Sequence, residues 1–170
     1  MLIEKTLEAL KQIQGQIYIG EGSVLEFSCR FNPPATMIDI KKFESDFECV
    51  VPKDYMRFLL TSNGMQFYEA GDYMFYSTQK IAENLKMMSI AYSSYIKGIY
   101  PIAYICEDYI VIKSDEISSG KYIYAGSCYM RDEYYSLDCN FETFFERYVI
   151  SNACSYWRWQ MPGELHSFIE

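Results

Sequence analysis

The sequence predicts an α+β domain, a mainly antiparallel β-sheet flanked by helices. Three observations predict it. Apolar residues recur at spacings of three and four in some stretches, as in Met37, Ile40, Phe43 and Phe47, and at spacings of two in others, as in Leu25, Phe27, Cys29 and Phe31. Prolines and a glycine punctuate these stretches at Pro33-Pro34, Pro52 and Ser62-Asn63-Gly64. Residues 100–105, 109–112 and 122–124 are strand-like runs of aromatic and β-branched residues. At 170 residues the chain has the size of one domain, able to bury well over half of its unfolded surface.

From the N-terminus, Leu2, Leu7, Leu10 and Ile13 give a short amphipathic helix that Gly15 can end. Past Gly20-Glu21-Gly22 the period becomes two: Leu25, Phe27, Cys29 and Phe31 alternate with Glu26, Ser28 and Arg30, a strand with one wet face. Ile17 and Ile19 supply its hairpin partner. The two glycines carry neither the lysine nor the following helix that a phosphate loop needs, so they read as a turn.

Pro33-Pro34 cannot continue a strand ladder, and Thr36 with Asp39 forms a capping-box pattern that starts a helix at Met37. Its apolar stripe leaves Lys41, Lys42 and Glu44 to water. Pro52 restarts a helix, because proline is tolerated in a first turn, and Tyr55, Phe58 and Leu59 supply the next stripe. Asn63-Gly64 ends it with residues that tolerate positive φ.

Phe67-Tyr68 and residues 73–76 read as two strands around the turn-forming Glu69-Ala70-Gly71-Asp72. Ser77 caps a helix carrying Ile81, Leu85 and Met88, and a tyrosine- and serine-rich stretch over 89–99 leads into the three strands already named. Asn140 caps a last helix with Phe141, Phe144, Phe145 and Tyr148 on its inner face. Beyond it, Trp157, Trp159 and Met161 either seal a sheet edge or present a contact patch.

In order, Pro33-Pro34-Ala35-Thr36, Val51-Pro52-Lys53-Asp54-Tyr55, Phe58-Leu59 and Ser62-Asn63-Gly64 resemble the signature of the SUKH superfamily, the Smi/Knr-type fold. Tyr76-Ser77, Tyr100-Pro101-Ile102, residues 108–112 and residues 141–146 continue the resemblance, which covers about residues 32–148 of a single domain over 1–170. Residues 1–31 and 149–170 extend it at either end. The resemblance implies a binding domain: either an immunity protein that neutralises a bacterial toxin domain, or a regulatory scaffold with an endogenous partner.

The net charge of −8 disfavours direct contact with nucleic acid, whose phosphates would be repelled, and favours a basic protein partner. Many toxins neutralised by this superfamily are nucleases, whose grooves must be basic. Residues 105–142 carry eight acids against Lys113, Lys121 and Arg131. The expected contact surface combines Tyr68, Glu69 and Asp72 with Glu107, Asp108, Asp132 and Glu133, aromatic anchors joined to acids; a solvated loop face is the plainer reading of any one acid pair.

The chain offers one histidine, His166, and no hydrolase, phosphate-loop or dinucleotide motif, so catalysis is not expected. Adjacent acids on a strand point to opposite faces, which argues against Glu107-Asp108 or Asp132-Glu133 acting at one centre. The six cysteines show no Cys-x-x-Cys spacing and read as reduced, small hydrophobes; no metal or other cofactor is expected. The N-terminus lacks a signal pattern, no apolar stretch reaches eighteen residues, and a cytoplasmic location without membrane contact is expected.

Overall fold

In a computed structural model, residues 2–13, 15–18, 24–68, 71–91, 97–127 and 134–160 are described. The chain opens with helix α1 (Leu2–Gln12), whose Ile3, Leu7 and Leu10 are buried against the helices that follow. Strands β1 (Gly15–Tyr18) and β2 (Val24–Phe27) form an antiparallel hairpin that pairs Ile17 with Leu25. Strand β3 (Cys29–Phe31) leaves it and joins the main sheet. The single strand expected over 25–31 is therefore two short strands broken at Ser28, each in a different sheet.

Helix α2 (Met37–Phe47) starts where the capping box places it. The Thr36 Oγ1 accepts the Asp39 N–H and the Asp39 carboxylate accepts the Thr36 N–H. That amide, followed by the Thr36 hydroxyl, holds the Asp39 carboxyl below its ordinary pKa. Helix α3 (Lys53–Thr61) follows with Pro52 as its N-cap, one position earlier than a first-turn proline. Strands β4 (Met65–Phe67) and β5 (Tyr73–Phe75) then precede helix α4 (Thr78–Ala91), where the Ser77 Oγ accepts the Lys80 N–H. Strands β6 (Ile99–Ile105), β7 (Asp108–Lys113) and β8 (Ile123–Ser127) are the three tyrosine-led runs. A two-residue strand β9 (Tyr135–Ser136) and helix α5 (Phe141–Ile150) complete the regular elements, with Asn140 Oδ1 capping the Thr143 N–H at 2.9 Å.

The main sheet runs β3-β4-β5-β6-β7-β8-β9, every pairing antiparallel. One cross-strand row, Phe31, Met65, Phe75, Ala103, Ile110, Ala125 and Tyr135, crosses it from edge to edge on the face that meets the core. Against this row α3 and α5 lay their aromatic stripes. The Phe75 ring lies 5.7 Å from Phe58 and 5.4 Å from Phe145, spacings at which edge-to-face contact adds to burial. Phe43 and Phe58, expected to be nearly buried, are 4% and 0% exposed. No helix among the described residues is long and apolar enough to cross a membrane.

Candidate functional site

Strand β6 takes seven residues to cross the sheet, so the two ends of the sheet lie roughly 20 Å apart. Most of the signature motifs gather at one end, where Gly64, Phe75, Ile99 and Ile123 lie, while residues 108–112 run from Asp108 at the other end back towards it. There they join elements to each other. The Asp54 carboxylate accepts the Tyr122 hydroxyl and the Glu142 N–H, the latter at 3.0 Å, tying the start of α3 to the start of α5. Asn63 does the same for α4: its Oδ1 accepts the Thr78 N–H at 2.9 Å and its Nδ2 donates to Gln79 at 3.1 Å. Gly64 stands at φ 86°, where a Cβ would meet the Phe75 carbonyl oxygen at 2.6 Å, so only glycine fits. The residues most typical of the signature are thus occupied in holding the fold.

The opposite end carries Tyr68, Asp72, Glu107 and Asp108 of the expected contact residues. Ile105 pairs with Asp108, leaving Cys106 and Glu107 as a two-residue hairpin turn with φ of 47° and 71°. Both positive values define the primed turn that fits sheet twist, a conformation for which Asn-Gly is preferred and for which L side chains incur a cost of roughly 1 kcal/mol or more each. Tyr68, Asn152 and Ala153 are also left-handed, so five of the seven such non-glycine residues among those described lie at this end.

Several bonds hold the turn. The Cys106 N–H donates to the Asp72 carbonyl at 2.9 Å. From the C-terminal 3₁₀ turn Tyr156–Gln160, Arg158 Nη2 donates to the Cys106 carbonyl at 2.8 Å and Nε to Asp108 Oδ2 at 2.9 Å. Trp157 Nε1 donates to the same Asp108 oxygen at 2.8 Å. The Tyr68 hydroxyl donates to the Asn152 carbonyl at 3.0 Å and locks the far side. Hydrogen bonding to Asp108 raises the Arg158 pKa, and burial pushes the Tyr68 phenol up to about 12.

Of the expected contact residues, Asp72 and Glu107 are exposed and are brought side by side by the β5–β6 pairing. Asp108 is corrected: 4% exposed, it faces inward, its carboxylate taken by Trp157 and Arg158, so it is a structural acid and offers no surface charge. Tyr68 is corrected in the same way, being 9% exposed and bonded through its hydroxyl to the chain's own backbone. Glu69, Asp132 and Glu133 lie outside the described residues, as do Cys128, Met161 and His166 and the side chains of Met88 and Trp159.

The other acids of residues 105–142 divide away from this end. Asp115 and Glu116 sit in a 3₁₀ turn, Ser114–Ser119, that follows β7 at the signature end, where Glu116 accepts the Tyr124 hydroxyl at 2.6 Å. Asp138 pairs with Lys121 at 3.2 Å. Trp157 proves to be a core residue, 4% exposed and stacked 6.2 Å from Tyr148. Arg158 was missed by the sequence reading, because a buried acid's need for a cation shows only once the acid is known to be buried.

Cys29, Cys49 and Cys139 have their thiols pushed up to about 12, 12 and 11, burial being the first cause in each, and the five described cysteines are all free. Among the described residues no three of His, Cys, Asp and Glu gather in a group that could hold a metal ion.

Fold and site together define an α+β domain that welds one end of its sheet with signature residues and presents acids on constrained turns at the other. The chain belongs to the SMI1 / KNR4 family (SUKH-1), whose model matches residues 34–147. It is similar to the protein YobM of Bacillus subtilis (strain 168), at 30% identity over 93% of this chain and 92% of that one. It is also similar to YnaB of the same organism, at 27% identity over 75% of this chain and 85% of the relative.

Proposed function

We propose that this chain is an immunity protein: it binds a toxin domain, in the first instance a nuclease, and blocks its basic active-site groove. The reading is supported by membership of the SMI1 / KNR4 family and by the net charge of −8. The observation that carries it is the pair of exposed carboxylates, Glu107 on a locked left-handed turn and Asp72 bonded beside it. Ordering a loop on binding costs free energy, so acids held in place beforehand lose less on association than acids on a floppy loop. An acidic face also speeds the encounter with a basic groove, most strongly at low salt. The role is binding, with no chemistry done on the partner.

Growth rescue tests this. The C-terminal domain of the protein encoded beside this chain, the toxin that the proposal expects there, is produced in a sensitive host with and without it. The proposal expects restored growth and a complex that survives purification. Growth arrest despite normal amounts of folded chain, with no complex, overturns it and leaves the regulatory scaffold with an endogenous partner.

A further inference from the structure

Among the described residues, the C-terminal 3₁₀ turn Tyr156–Gln160 reaches the candidate face at the base of the Cys106-Glu107 turn. Arg158 spans the turn base, with Nη2 on the Cys106 carbonyl at 2.8 Å and Nε on Asp108 Oδ2 at 2.9 Å. Trp157, 4% exposed, fixes the same carboxylate oxygen at 2.8 Å and is itself seated on Phe144 and Tyr148 of α5. The planar guanidinium therefore bonds the residue before Glu107 and the residue after it at once, a geometry that an ammonium group cannot copy. Neither Cys106 nor Glu107 favours the conformation it adopts, with φ of 47° and 71°. Something outside the turn has to hold it.

We propose that Arg158, seated by Trp157, is a positioning residue for the partner-binding face. It keeps the Cys106-Glu107 turn left-handed and so fixes where the Glu107 carboxylate stands relative to Asp72. This rests on the reading of that face as the contact surface, but the positioning itself is a property of the free chain. The Cys106 N–H, which donates to the Asp72 carbonyl at 2.9 Å, reports it directly. When the guanidinium is removed, the turn relaxes toward negative φ and that amide loses its acceptor.

The experiment compares the full chain with Arg158→Gln, Trp157→Phe and the double variant Arg158→Gln with Cys106→Asn. Trp157→Phe keeps the ring packing and removes only the N–H. Amide hydrogen exchange and backbone NMR couplings are read at Cys106 and Glu107, with the Thr78 amide at the far end of the sheet as internal control. Arg158→Gln is expected to speed exchange at Cys106 about tenfold or more and to lose the positive-φ couplings, while Thr78 stays protected. Trp157→Phe should do so to a smaller extent. Asparagine tolerates the left-handed region better than most residues, so Cys106→Asn should restore the couplings in the Arg158→Gln chain, which a general loss of stability would not allow.

Unchanged couplings and exchange at Cys106 in Arg158→Gln overturn the proposal, as does equal loss of protection at Thr78 without rescue by Cys106→Asn. The growth assay separates the two readings. A relaxed turn with undiminished rescue from the toxin leaves Arg158 as the residue that positions the turn and removes this face from toxin binding.

Discussion

The carboxylate of Asp54 accepts the backbone N–H of Glu142, 88 residues further along the chain, at 3.0 Å. The same carboxylate accepts the Tyr122 hydroxyl and the Tyr55 N–H, so a single signature residue joins the first turn of α3, the first turn of α5 and the residue ahead of β8. A carboxylate near two helix N-termini meets unsatisfied amides and the positive end of each dipole. Asp54→Ala is expected to cost about 1.5 to 3 kcal/mol, the range for hydrogen bonds to a charged group, measured by urea denaturation. A loss below 0.5 kcal/mol, the ordinary scatter of surface substitutions, would contradict this account of the motif.

Gly64 gives a sharper test of the same end. A Cβ there would lie 2.6 Å from the Phe75 carbonyl oxygen and 2.7 Å from the Ser77 nitrogen, both backbone atoms that cannot move without disturbing β5 and the start of α4. Its φ of 86° adds a conformational cost. Gly64→Ala should destabilise by about 3 kcal/mol or more, or prevent folding, whereas Gly120→Ala, where a Cβ meets nothing within 4 Å, should incur only the milder cost of a left-handed alanine. Similar melting temperatures for the two variants would refute the close-approach argument.

The core makes a graded prediction. Phe58 is fully buried and contacts Tyr55, Phe75, Phe141 and Phe145. Phe58→Ala should cost about 3 to 5 kcal/mol, the range for a buried phenylalanine. Ile38, 79% exposed on the outer side of α2, should change stability by less than about 0.5 kcal/mol when replaced by alanine. Thermal or chemical melts of both variants check the placement of the two helices.

Most of the fold was legible because local chemistry and tertiary structure agree. Thr36 and Asp39, Ser77, and Asn140 each announce a helix start by a side chain able to bond free amides, and all three starts are found where the sequence puts them. The alternation from Leu25 to Phe31 was also real, but alternation reports which face is wet and not which sheet a strand joins; the break at Ser28 is set by pairing with β4. Strand β9 and the two 3₁₀ turns are too short to show a period. At the candidate site the limit was orientation. Glu107 and Asp108 are neighbours with opposite fates because the turn sends one outward and the strand sends the next inward, and Cys-Glu carries none of the Asn-Gly signal that would have located that turn.

Alkaline pH should destabilise the chain through its buried tyrosines. Burial raises the phenol of Tyr68 from 10 to about 12, and those of Tyr55, Tyr100, Tyr122 and Tyr148 also upward. The folded state then holds protons that the unfolded state releases. The stability linked to Tyr68 is therefore fully present below pH 10 and is lost as pH rises from 10 through about 12. Denaturation midpoints should be flat for these groups below pH 10 and fall above it, together with the appearance of tyrosinate absorbance. Tyrosinate forming at pH 10 in a chain that stays folded would contradict the burial.

Charge reversal at the turn end tests the proposed contact surface. Asp72 and Glu107 are exposed there, whereas Asp115 lies in the 3₁₀ turn at the other end, with the length of β6, roughly 20 Å, between them. Replacing Asp72 and Glu107 together by lysine changes the local charge by four units while leaving the buried Asp108 pair intact, and Asp115→Lys supplies a control that alters net charge elsewhere. Exposed charges contribute little to stability, so all three chains should melt within about 1 kcal/mol of one another. The association rate with the toxin domain should fall by about tenfold or more for the double reversal at low salt, and the difference should shrink as salt rises and screens the approach. Asp115→Lys should slow association far less, because its distance exceeds the Debye length of about 8 Å at physiological ionic strength. Equal slowing by reversals at the two ends would mean that net charge alone steers the encounter, and an unchanged rate for Asp72 and Glu107 would place the contact surface elsewhere on the molecule.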